Sequence, residues 1–382
     1  MRSFSVLLSL LLMLWSVLPA QAQSGPQAPA LAARSWLLLD FSSGQELAGV
    51  NTSERIEPAS LTKLMTAYLS FAALKQGTLK LDQVVPVSER AWKAQGSRMF
   101  IDPKHPVKVE ELLRGMIVQS GNDACVALAE AVAGSEEAFV QMMNHEAQRL
   151  GLQNTQFRNS TGLPDPQHYS TARDLAVLAA ALIRDFPDLY PLYSLKAYSY
   201  NNITQNNRNR LLWLDPQVDG VKTGHTEGAG YCLIASAKRG ARRLLAVVLG
   251  TASDAVRAQE AQKLLNYGFQ AYDGVKLYEL NQTVSQLRVF KGAQNSVPVG
   301  FNSEFALSVP KGQAALIKVQ LVSRQPLQAP VGLGQRVATL KVFLGKGEEN
   351  TPWGEYPLVA LEAVPVAGIF GRAWDTVRLW FE

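Results

Sequence analysis

Three short strings constrain this chain more than anything else in it: Ser60-Leu61-Thr62-Lys63, Ser120-Gly121-Asn122 and Lys222-Thr223-Gly224. They occur in that order, with sixty residues between the two serines and a hundred from Asn122 to Lys222. Each string is weak alone. Ser308-Val309-Pro310-Lys311 repeats the first pattern, but its proline prevents a helical Ser–Lys pair, and Ser199-Tyr200-Asn201 repeats the second. Lys-Thr-Gly occurs once. The three together demand a fold that brings a helix start, a helix–helix loop and a strand to one place.

Local patterns support those settings. Pro58 suits the first turn of a helix, and Leu61, Leu64, Met65, Tyr68, Leu69 and Ala72 follow i, i+3, i+4, i+7 spacing. Ser60 and Lys63 then lie one turn apart on one face. Residues 110–133 read as two helices with Ser120 to Asp123 as the loop between them, and residues 136–150 and 171–186 as further amphipathic helices. Residues 218–223, 230–237 and 243–251 read as an antiparallel meander, followed by a helix over 254–272. With a strand pair at 35–41 and 45–50, the order of elements predicts an α+β domain.

The residue types suit acyl transfer. A serine hydroxyl is a poor nucleophile until a base takes its proton. Lys63 can be that base only when uncharged, so its pKa must fall from about 10.4; burial and neighbouring cations such as Lys222 have that effect. Ser120 can relay the proton to the leaving amine, oriented by Lys222. Asn122 can hold either the Lys63 side chain or a substrate amide. The strand edge at Lys222, Thr223 and Gly224 can pair with an extended peptide. The backbone N–H groups of Ser60 and His225 are the natural oxyanion donors.

Other signals bound the rest. Arg2, an apolar core of thirteen residues over 6–18 and Ala20-Gln21-Ala22 predict a signal peptide over 1–22, whose apolar run is short for a bilayer span. A length of 382 residues predicts two domains. The boundaries expected are 23–274 for the catalytic domain and 275–363 for a small all-β domain, marked by period-two alternation with regular turns. At 364–382, Val366, Ile369, Phe370, Ala373, Trp374, Val377, Trp380 and Phe381 fall on one helical face, which suits a membrane interface. The formal net charge of +5 suits anionic lipid or wall polymer. No Lys/Arg run interleaved with aromatics argues for nucleic acid. Cys125 and Cys232 lie in apolar stretches; export would permit a disulfide, while their settings favour two buried thiols. The four histidines lack zinc-ligand spacing, and no metal or other cofactor is expected.

Pro58-Ala-Ser-Leu-Thr-Lys63, Ser120-Gly-Asn-Asp-Ala124 and Val218-Asp-Gly-Val-Lys-Thr-Gly-His-Thr226 resemble the D-alanyl-D-alanine carboxypeptidases of the penicillin-binding protein five and six type. Asn207-Arg-Asn209, the Leu-Leu-Trp213 that follows, the β domain and the Phe370-to-Trp374 tail extend the resemblance. It implies a penicillin-binding/β-lactamase-like transpeptidase domain, an antiparallel sheet flanked by helices, followed by the all-β domain and the terminal helix. It implies a serine peptidase that removes the terminal D-alanine from peptidoglycan pentapeptide stems through a Ser60 acyl-enzyme, which β-lactams trap covalently. It also implies that Arg208 and Thr223 hold the substrate's terminal carboxylate, and that the chain works on the periplasmic face of the inner membrane. One departure is Thr161, where the family pattern has a histidine. Three alternatives stay open: an endopeptidase on cross-linked stems, a β-lactamase, and a non-catalytic penicillin-sensing or wall-binding module. The second lacks an E-x-x-L-N string between Asn122 and Lys222.

Overall fold

The computed structural model describes residues 25–345 and 350–368, together with Asp375. The expected signal peptide over 1–22 lies outside the described residues, as does most of the expected helix over 364–382.

The first unit runs through β1 (Ser35–Asp40), β2 (Glu46–Val50), α1 (Lys63–Gln76), β3 (Val84–Val85), α2 (Glu89–Trp92), β4 (Val107–Lys108), α3 (Val109–Val118), α4 (Asn122–Ala133), α5 (Glu136–Arg149) and α6 (Ala172–Asp185). It continues through the hairpin β5 (Ala197–Tyr200) and β6 (Ile203–Asn206), α7 (Leu211–Leu214), the meander β7 (Val218–Thr226), β8 (Gly230–Arg239) and β9 (Arg242–Thr251), and α8 (Asp254–Ala271). Five strands form one sheet in the order β2-β1-β9-β8-β7, each neighbour antiparallel.

Strands β1 and β9 read as unbroken apolar runs because both faces of the sheet are covered. Side chains alternate across the sheet. Trp36, Leu38, Leu244, Ala246 and Val248 pack with Leu264 and Leu265 of α8, whereas Leu37, Leu39, Leu245, Val247 and Leu249 join the core formed with α1 and α6. Helix α1 is buried almost all round and stops where Gly77 takes a left-handed φ of 75°, the conformation glycine adopts at helix ends. Strand β7 is left at the sheet edge. That edge carries the Lys-Thr-Gly string.

The second unit has its own core. Its strands are β10 (Tyr272–Tyr278), β11 (Thr283–Phe290), β12 (Ser296–Gly300), β13 (Phe305–Pro310), β14 (Ile317–Ser323), β15 (Leu327–Gln328), β16 (Arg336–Leu344) and β17 (Thr351–Ala360). Strands β10 and β13 pair, and the other six form a sheet in the order β14-β16-β17-β12-β11-β15. The all-β expectation holds, but the strand pattern begins at Tyr272, because Tyr272 already pairs with Pro310.

Two expectations are corrected in detail. Asn122 and Asp123 open α4 and are not part of a loop. Residues 364–368 are not helical: Val364 is buried and exchanges two backbone hydrogen bonds with Val331, and Val366 bridges Gly292. A β-branched pair completing a sheet margin overrides the helical spacing there. The decoy Ser308-Val-Pro-Lys311 is a joint between the units. Ser308 Oγ donates to Asp40 and accepts from Arg242 Nη2 at 3.0 Å, while Arg242 Nη1 donates to the Tyr272 carbonyl at 2.7 Å.

Candidate active site

The turn ahead of α1 delivers the first string. Ala59–Thr62 form a 3-10 turn that runs directly into the helix. Ala59 has φ 47°, a left-handed conformation that side chains adopt at a cost, so the backbone is bent just before Ser60. Lys63 is almost fully buried. Its Nζ lies 3.0 Å from Ser60 Oγ and donates to the Thr161 carbonyl at 2.6 Å. Burial holds the Lys63 pKa down to about 8, helped by the Arg208 guanidinium and opposed by Cys125 and Asp123.

The second string sits between α3 and α4. Ser120 has φ 70° and is buried. The Asp123 carboxylate fixes the facing wall, accepting the backbone N–H groups of Met99, Phe100 and Ile101 at 2.9, 2.8 and 3.3 Å. Asn122 closes the same wall: its N–H donates to the Ser97 carbonyl at 2.7 Å and its Nδ2 to the Gln95 carbonyl at 2.6 Å. The first of its two expected roles, holding Lys63, is not seen: the Asn122 amide oxygen, the atom that could accept from Nζ, has no protein partner, and Nζ is bonded to Ser60 and Thr161. Ser120 Oγ and Asn122 Oδ1 are buried without a protein partner. Such atoms at a cleft wall are the groups a polar substrate pairs with.

The third string lies on β7. Lys222 is buried and its Nζ donates to the Thr223 carbonyl at 3.1 Å. Burial, then Lys63, then Arg208 depress its pKa well below the ordinary value. No hydrogen bond joins Lys222 to Ser120, whose Oγ has no protein partner. His225 is exposed and its ring lies against Tyr231, directly across the β7–β8 ladder, with centroids 4.0 Å apart and the ring planes tilted by 35°.

Ser60, Ser120, Asn122, Arg208, Thr223, Gly224 and His225 line one cleft of about 490 Å³, and Lys63 and Lys222 lie buried behind it. Arg208 is presented by a loop tied down on both sides: Asn207 Nδ2 donates to the Leu195 carbonyl at 2.9 Å, and Asn209 Nδ2 to the Gly220 carbonyl at 3.0 Å. Cys125 and Cys232 are both free and buried, with thiols pushed up to about 12 and about 11 by burial. Neither is a nucleophile, because it is the thiolate that reacts. Among the described residues no group of His, Cys, Asp and Glu could hold a metal ion.

Two contributions were not read from the sequence. The Thr161 carbonyl, the acceptor for Lys63, comes from a loop in which Asn159 Oδ1 receives the N–H groups of Thr161, Gly162 and Leu163. An Asn two or three residues ahead of a glycine is the available signal for such a turn. Arg257 of α8 reaches the Gly224 carbonyl at 3.2 Å and lines the cleft; its position in an ordinary amphipathic helix carries no signal.

A family model described as D-alanyl-D-alanine carboxypeptidase (Peptidase S11) matches residues 22–253, and one described as penicillin-binding protein 5, C-terminal domain, matches residues 272–366. The D-alanyl-D-alanine carboxypeptidase DacC of Escherichia coli K12 is 43% identical over 369 residues, 94% of this chain and 91% of that protein. DacF of Bacillus subtilis is 37% identical over 98% of this chain and 97% of that protein. The crystal structure of penicillin-binding protein 5 from Haemophilus influenzae superposes with a TM-score of 0.80 at 40% identity, covering 89% of this chain and all of that one.

Proposed function

The chain belongs to the D-alanyl-D-alanine carboxypeptidase family and is a serine hydrolase of the penicillin-binding protein five and six type; from that premise we propose that Ser60 is its nucleophile and Lys63 the base that activates it. The observation that carries this reading is the sealed Lys63, 3.0 Å from Ser60 Oγ and held down to about 8. An uncharged Nζ takes the Ser60 proton as Oγ attacks the carbonyl of the penultimate D-alanine. The tetrahedral oxyanion is received by the backbone N–H groups of Ser60 and His225. Ser120 passes the proton that Lys63 took to the leaving D-alanine amine as the C–N bond breaks. Water then hydrolyses the ester and regenerates Ser60. Arg208 and Thr223 hold the terminal carboxylate, and the free edge of β7 pairs with the stem peptide. A β-lactam opened by Ser60 follows the same first step and stays as the acyl-enzyme.

No Asp or Glu is among the residues lining the cleft. This disfavours a class A β-lactamase, which uses a glutamate to activate the deacylating water. The full Ser60, Lys63, Ser120 and Lys222 set disfavours a pure binder. Free against cross-linked stems is decided by product analysis. Residues 23–368 and their Ser60→Ala variant are incubated with pentapeptide and cross-linked muropeptides, and products are weighed by mass spectrometry. Free D-alanine and tetrapeptide from the unmutated chain alone is the expected result. Cleaved cross-links without D-alanine would make the protein an endopeptidase, and D-alanine from the variant would remove Ser60 from the mechanism.

We also propose export and peripheral attachment to the periplasmic face of the inner membrane through the tail beyond residue 368. The support is the leader of residues 1–22 and the one-sided aromatic pattern of the tail. Among the described residues no helix is long and apolar enough to cross a membrane. Deleting 369–382 is expected to move the mature protein from the membrane pellet to the soluble fraction; a truncated form that still pellets would sink the anchor.

A further inference from the structure

We infer that His168 is a positioning residue for acylation: its neutral imidazole, protonated on Nε2, ties the Ser60–Lys63 turn to the loop whose Thr161 carbonyl receives Lys63. The inference rests on Lys63 being the base, and it assigns a role to a histidine that the sequence motifs leave aside.

The tautomer follows from the partners. His168 is buried, with 3% of its surface exposed. Its Nδ1 accepts the Arg158 backbone N–H at 3.3 Å. A backbone N–H can only donate, so Nδ1 carries no proton. Nε2 then carries it and donates to Thr62 Oγ1 at 2.9 Å. One ring thus joins the residue before Lys63 to the residue that opens the 158–163 loop. Phe157 meets the ring edge-on at 5.7 Å, which fixes its plane.

The joined surfaces have no slack. Gly162, at φ 83°, lies so close to the turn that a Cβ would come within 1.8 Å of the Ala59 carbonyl and 2.8 Å of Thr62 Oγ1. The loop is held from its far side as well: Ser160 donates from its N–H and hydroxyl to Glu136, and its carbonyl accepts Thr66 Oγ1 at 2.6 Å. His168 closes the third side. What this arrangement delivers is the Thr161 carbonyl at 2.6 Å from Lys63 Nζ, with water excluded from the lysine.

The charges facing the ring favour the neutral form. Burial is the largest influence and holds His168 down to about 4; Lys63 of α1 and Arg158 of its own loop act in the same direction, and Asp165 opposes them. A second proton would sit on Nδ1, facing the Arg158 N–H, and would break that bond. Loosening the clamp would admit water to Lys63. Because burial is the largest cause of the lowered Lys63 pKa, that pKa would rise.

The test is the pH profile of kcat/KM for D-alanine release, with thermal melting alongside. His168→Leu fills the volume but has neither bond. The expected result is an acid limb moved up by about one pH unit, with kcat/KM at pH 6 lowered about tenfold. His168→Gln, whose amide can both donate and accept, should restore the limb. If the leucine variant does not fold, Thr62→Val removes only the Nε2 acceptor and should move the limb the same way. A folded variant that melts lower but keeps the wild-type limb, or moves it down, would overturn the inference and leave His168 a packing residue. A wild-type profile with no acid limb near pH 8 would instead overturn the assignment of Lys63 itself, a distinct failure.

Discussion

Lys63 Nζ stands 3.0 Å from Ser60 Oγ although the two residues belong to different helical segments, the serine to a 3-10 turn and the lysine to the first turn of α1. The tighter 3-10 winding brings positions i and i+3 into line, so the pair meets without bending either side chain across the helix. The same turn buries the ammonium and leaves the hydroxyl at the cleft.

Acylation should follow the neutral fraction of Lys63. Its pKa is lowered to about 8 by burial, so kcat/KM is expected to rise with pH and level off above about 8. A flat profile from pH 6 to 9 would show that another group is the base. Steady-state kinetics on a D-alanyl-D-alanine peptide measures it.

The same burial should cost stability. Lys63 is charged in the unfolded chain up to its ordinary 10.5 and in the folded chain only up to about 8. The unfolded state therefore holds more protons between those values, and folding stability rises with pH across that window. Below about 8 the burden is complete, on the order of 3 kcal/mol. Lys63→Met should abolish acylation and yet stabilise the catalytic domain at pH 7 by about 1–3 kcal/mol. Calorimetry showing a lower melting temperature would contradict this.

Arg208 is expected to act on binding of the free carboxylate. Arg208→Ala should lower kcat/KM about 10–100-fold, mostly through KM, as loss of a charge-assisted pair does. Arg208→Lys should recover only part, because a lysine lacks the planar fork. An amidated peptide, which has no carboxylate, should respond little to either change. Equal losses on both peptides would assign Arg208 to loop structure instead.

Ser308 separates a decoy from a motif. Ser308→Ala removes the hydroxyl between Asp40 and Arg242 and should destabilise by about 1–3 kcal/mol. Covalent penicillin labelling should be unchanged at a temperature where the variant is folded. Lost labelling in a folded variant would mean that the joint between the two units reaches the catalytic site.

The two-unit α+β and all-β division was legible because burial on both sheet faces writes unbroken apolar runs, while half-buried strands alternate. The site was legible to the extent that it rests on covalently close residues: Ser60 with Lys63, Ser120 with Asn122, and Lys222 with Gly224. Boundaries were less so. Tyr272 reads as the last turn of a helix but opens β10, and residues 364–366 follow helical spacing but bridge to distant strands. In both places a partner far along the chain outweighs local preference.

What the amino-acid order determined alone is the chemistry available: an activatable serine, two lysines, an arginine fork, and the local turns and helices that present them. Only the tertiary structure decided the state of those groups. Lys63 falls to about 8 because the surrounding core closes over it, with the Arg208 guanidinium, about 145 positions away, adding to the effect. Asn122 Nδ2 finds its partner in the Gln95 carbonyl, and His168 becomes a clamp, for the same reason. A pKa and a hydrogen-bond partner are properties of the enclosed space, and the enclosure exists only once distant segments have packed.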